Sequence, residues 1–82
     1  NTTPQSSTAQ PASQITAARA KEIALNHAGV KSSDVSGFKS ELDWDDGVSI
    51  YELEFNAGGY EYDYEINAAT GAVVKSEKDR DD

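Results

Sequence analysis

Between Tyr51 and Ile66 the chain reads YELEFNAGGYEYDYEI, and its alternation constrains the fold more than any other feature. Tyr51, Leu53 and Phe55 share one parity, and Glu52 and Glu54 take the other. Beyond Gly58 and Gly59, Tyr60, Tyr62, Tyr64 and Ile66 alternate with Glu61, Asp63 and Glu65. Successive side chains of a strand point to opposite faces, so this period of two builds a hairpin with an aromatic face and a carboxylate face. The aromatic face needs cover, whereas an antiparallel sheet can leave its other face in water.

The cover has to come from upstream. The run ITAARAKEIALNHAGV predicts a helix, with Ala20, Ile23, Ala24, His27 and Ala28 on one face and Leu25 toward the flank. Thr16 is the expected N-cap, Ile15 can staple onto Ala20, and Gly29 suits a left-handed C-cap. KSSDVSG reads as a loop with an Asx-turn at Asp34. FKSELDW then alternates, placing Phe38, Leu42 and Trp44 on the apolar parity. Asp45–Gly47 is a hairpin signal, and VSIYELEF follows as the second strand. Val48 and Ile50 share Glu52's parity, which predicts a bulge near Ile50. NAATG turns into a short fourth strand, AVVKSE. The expected architecture is α+β: one N-terminal helix packed on a four-stranded antiparallel β-meander, residues 15–78. Residues 1–14, uncharged and without a large apolar side chain, are expected to be a disordered tether, and 79–82 a solvated tail.

Size and charge exclude several functions. A folding unit of about 65 residues buries only about 60% of its unfolded surface, which leaves little room for a catalytic cavity. No cysteine is present, so neither a disulfide nor a thiolate metal site supports the core. Fifteen acidic residues against seven basic ones give a net charge of −8. That sign opposes binding to nucleic-acid phosphates or an anionic membrane surface, and no apolar run is long enough to span a bilayer.

The segments ITAARAKEIALNHAGV, LDWDDGVSIYELEF and YEYDYEINAATGAVV, in this order and spacing, resemble the PepSY domain. The resemblance covers roughly Ile15 to Glu77 and is closest in the ending YEYDYEINAATG. PepSY domains occur in the propeptides of secreted thermolysin-like metallopeptidases and in cell-surface, membrane-attached and periplasmic bacterial proteins. The resemblance implies a noncatalytic module that binds, inhibits or regulates a peptidase or another envelope protein outside the cytoplasm. A chain with one such domain and no peptidase domain departs from the propeptide arrangement, so the expectation is a stand-alone extracytoplasmic binding module.

The candidate chemistry is a surface. Counted as an EF-hand loop from Asp43, the segment lacks the glycine at position six, where Val48 stands, and an oxygen ligand at position five, where Gly47 stands. No serine sits in a Gly-x-Ser-x-Gly elbow. The one histidine, His27, suits a helix-end packing role better than a metal site. No catalytic residue, metal ligand or cofactor is therefore assigned. Three readings stay open for the carboxylate face of Glu41, Asp43, Glu52, Glu54, Glu61, Asp63 and Glu65: a solvated surface, contact with a basic partner, or weak divalent-cation binding. A helix about 10 Å wide covers roughly two strands, so part of the aromatic set is expected at an open sheet edge. The candidate partner contacts are Trp44, Tyr51, Tyr60, Tyr62, Glu52, Glu54, Glu61 and Asp63, with pairing of two copies through an edge strand as the alternative.

Overall fold

The computed structural model describes residues 14–80. The expected tether and the last two residues lie outside them, apart from Gln14.

Helix α1 spans Ala17–Ala28. Thr16 caps it, its Oγ1 accepting the Arg19 N–H at 3.0 Å, and Gly29 ends it in a left-handed conformation. Ala20 and Ala24 are fully buried, so the sheet approaches the helix closely. Leu25 is buried as well, whereas Ile23 is half-buried. At 3.6 residues per turn the two stand about 100° to either side of Ala24, and both long side chains reach round to the sheet. His27 is exposed, but its Nδ1 lies 2.9 Å from the Tyr64 hydroxyl and its ring meets Tyr64 edge-on.

After a 3-10 turn at Ser32–Asp34 come four strands: β1 Ser36–Asp45, β2 Val48–Ala57, β3 Tyr60–Asn67 and β4 Val73–Arg80. They form one antiparallel sheet in the order β1-β2-β3-β4. The hairpins at Asp46–Gly47 and Gly58–Gly59 have positive φ at both central residues, the geometry that matches the twist of the flanking strands. The third turn is held by Asn67, whose Oδ1 accepts the N–H groups of Ala69 at 2.8 Å and Thr70 at 3.2 Å.

The core sits between α1 and the middle strands. Leu53, Phe55 and Ile66 are its largest fully buried side chains, with Tyr51, Tyr62 and Tyr64 beside them. Phe55 stacks on Tyr62 at 5.0 Å and on Tyr64 at 6.0 Å. Each such side chain contributes about 1.5–3 kcal/mol by leaving water. Tyr51 also ties the sheet to the entry of α1, donating its hydroxyl to the Ile15 carbonyl at 3.0 Å.

Three details differ from the sequence reading. No bulge occurs at Ile50: the β1–β2 and β2–β3 registers run through it without a break. Val48 and Ile50 fall on the open face, and Val48 is 41% exposed. The register shifts lie between Ser36 and Lys39, where Gly37 has φ 62, and between Glu65 and Ile66. Secondly, Leu42 is left 50% exposed beside Trp44, which at 74% lies open as expected of a sheet edge; of the apolar side chains of β1 only Phe38 packs against the core, because the narrow helix lies over the middle of the sheet. Thirdly, β4 does not stop at Glu77 but pairs with β3 as far as Arg80 opposite Tyr60. Nothing after Glu77 breaks a strand, and the Lys78 ammonium packs 4.3 Å from the Tyr60 ring centroid.

Candidate partner-binding face

The face turned away from α1 carries rows of carboxylates that the strand register sets side by side. Glu41 stands opposite Glu52, which stands opposite Glu65, which stands opposite Lys75. The next row runs Lys39, Glu54, Asp63 and Glu77. Glu61 and Asp79 pair beyond it. Like charges directly opposite one another destabilise a ladder, so this face carries an electrostatic cost. Lys75 relieves part of it, with Nζ 3.8 Å from Glu65 and 3.9 Å from Glu77.

The cost is greatest where β1 meets β2. Glu41, Asp43 and Glu52 bring carboxylate oxygens within 4.8 Å of one another. Glu52 is pushed up to about 7 from its ordinary 4.5. The main cause is its hydrogen bond to Asp43, which needs a proton between the two groups. The Asp43 charge, partial desolvation and the charges of Glu65 and Glu41 follow. Beside the trio, Lys39, Ser40, Glu41, Glu52 and Glu54 line a depression in the face. Such an arrangement attracts cations, whether a metal ion or a Lys or Arg side chain.

The structure separates the candidate contacts into two groups. Glu52, Glu54 and Glu61 are exposed and Asp63 half-buried, all on the acidic face. Trp44 is exposed on β1. Tyr51 and Tyr62, each 6% exposed, are packed inside, and Tyr60 is half-buried under Lys78 and Arg80. Burial chiefly, and then Tyr62, pushes the Tyr64 hydroxyl above its ordinary value. The exposure of Leu42 was not foreseen, nor was the convergence of Glu41, Asp43 and Glu52. The second had a signal: counting outward from a two-residue turn at Asp46–Gly47 places Glu41 opposite Glu52.

Comparison with known proteins decides the family. A family model described as "Peptidase propeptide and YPEB domain" matches residues 14–77. The chain is a PepSY domain. It is 39% identical over 57 residues to an uncharacterized protein of Streptococcus pyogenes serotype M6, covering 70% of this chain and 44% of that protein. It is 41% identical over 66 residues to the uncharacterized protein YkoJ of Bacillus subtilis, covering 79% of this chain and 36% of YkoJ. The chain thus spans less than half the length of either relative. No solved structure matches it significantly. PepSY domains are propeptide and regulatory-type modules, typically found in extracellular proteins. Among the described residues no helix is long and apolar enough to cross a membrane.

Proposed function

We propose that this PepSY domain is a noncatalytic module that binds a peptidase outside the cytoplasm and regulates it. Family membership carries the reading. The architecture is consistent with it: the core is built from apolar and aromatic side chains, no polar or charged residue is buried among the described residues, and the charged groups lie on an open sheet face. A flat, wet carboxylate surface is suited to meeting another protein, since complementary charge guides encounter and selects partners.

The direct test is titration of the purified domain into a purified thermolysin-like metallopeptidase, with peptide hydrolysis and calorimetric heat followed together. Saturable heat with a change in hydrolysis is the expected result. Neither heat nor altered hydrolysis, across a panel of secreted thermolysin-like metallopeptidases, would falsify the regulatory reading.

A further inference from the structure

If this domain regulates by binding protein, the question becomes which surface meets the partner. The sheet has two outer strands, β1 and β4, and they differ. On β4, Lys75, Lys78 and Arg80 blunt the edge, and the last two lie over Tyr60. Strand β1 runs ten residues and, among the described residues, pairs only with β2. On its outer side alternate residues of such a strand turn N–H and C=O groups away from the sheet. Leu42 and Trp44 stand exposed toward the helix side of this edge. Glu41 and Asp43 stand toward the other side, backed by Glu52 one strand further in. The edge therefore offers unpaired backbone, apolar contact on one face and carboxylates on the other, at strand spacing.

A second copy of the chain fits this edge poorly in the register that brings the two Leu42 side chains together. Two β1 strands paired antiparallel about Leu42 would set Glu41 of each against Asp43 of the other. Like charges directly opposite are destabilising, and each chain carries −8. The complementary occupant alternates basic and apolar side chains.

We propose that β1 takes up an extended segment of the partner protein as an added strand, with Lys or Arg side chains beside Glu41 and Asp43 and apolar side chains beside Leu42 and Trp44. The proposal rests on the regulatory reading and specifies its contact surface. Main-chain hydrogen bonds supply affinity in such strand addition, and the alternating side chains supply selectivity. A bound ammonium or guanidinium group offsets the mutual repulsion of Glu41, Asp43 and Glu52.

Trp44 is the only tryptophan, so its emission reports on this edge. The probe is a capped peptide of four Lys-Val repeats. Controls are four Glu-Val repeats and a block peptide with all lysines before all valines. The alternating basic peptide should change Trp44 emission saturably and shift amide resonances along β1. The acidic peptide should not bind, and the block peptide should bind at least about tenfold more weakly, having charge without register. Glu41→Gln with Asp43→Asn should weaken binding about tenfold, as should raised salt, because screening removes the charge contribution. Trp44→Ala, followed by amide shifts and checked for folding by circular dichroism, should also lose affinity. Equal binding of the block peptide, shifts centred on β4, or a concentration-dependent doubling of mass through β1 would each overturn the proposal. The peptidase titration separates the two claims. A peptidase bound equally by wild type and the β1 variants removes β1 from the interface and leaves regulation standing. Peptide uptake at β1 without any effect on a peptidase removes regulation and leaves the edge site standing.

Discussion

Glu52 shows how a single residue can reveal a conflict in the fold. It lies between Glu41 and Glu65 across the sheet and shares a hydrogen bond with Asp43. Its folded value of about 7 lies above its ordinary 4.5, so between these values the native state holds a proton that the unfolded chain has released. Stability from this group is complete below the ordinary value and is lost as pH rises through about 7. Glu52→Gln should therefore melt above wild type at about pH 8 and show a flatter pH profile from about pH 5 upward, because it removes the group whose ionisation destabilises the fold. Asp43→Asn should flatten the profile too, since Asp43 is the main cause of the shift. Thermal melts across that range check both, and variants that keep the wild-type slope would exclude the shared proton. The alternation of glutamates was plain in the sequence, but alternation alone does not say which carboxylates become neighbours.

The elements are held in place by contacts between them as much as by their own propensities. Gly71, in the β3–β4 turn, has φ 80, and a methyl group there would meet Ile23 Cδ1 of the helix at 3.3 Å. Gly71→Ala should cost about 1–2 kcal/mol from the left-handed backbone, before any displacement of Ile23. In a domain this small that lowers Tm by about 4–8 °C per kcal/mol, readable by calorimetry; an unchanged Tm would mean the turn does not hold residue 71 in that conformation, and a loss beyond this range would come from the contact with Ile23. Strand β4 supplies a second test. Ending the chain after Glu77 removes the Lys78 and Arg80 contacts with Tyr60 and the last β3–β4 pairs. Loss of about 1 kcal/mol, the scale of exposed cation–π contacts, is expected in denaturant titrations. A truncated chain as stable as the full one would show that the extension past Glu77 adds nothing. The helix, its caps and the hairpins were legible because each has a local signature: Thr16, Gly29, Asp46–Gly47 and Gly58–Gly59. The end of β4 was not, because its charged residues look the same whether they lie on an edge strand or in a tail.

At the scale of the whole molecule, one sheet face is packed and the other carries most of a net charge of −8. Mutual repulsion among exposed charges weakens as salt shortens the screening length to about 10 Å at 0.1 M. Sodium chloride should therefore raise Tm, and calcium chloride of equal ionic strength should raise it by the same amount. A clear excess for calcium, lost in Glu52→Gln, would instead make the Glu41–Asp43–Glu52 trio a cation site. The sequence by itself determined the elements, their order and the division of the hairpin into apolar and acidic faces, because strand periodicity, caps and turn residues act over a few neighbours. Tertiary structure alone decided that Tyr51 and Tyr62 are core while Leu42 and Trp44 are surface. All four lie on the helix side of strands, and only the width and position of one alanine-faced helix determine which are covered. The same holds for the acidic face, where register across strands, a long-range property, selects the carboxylates that must share a proton or meet a cation.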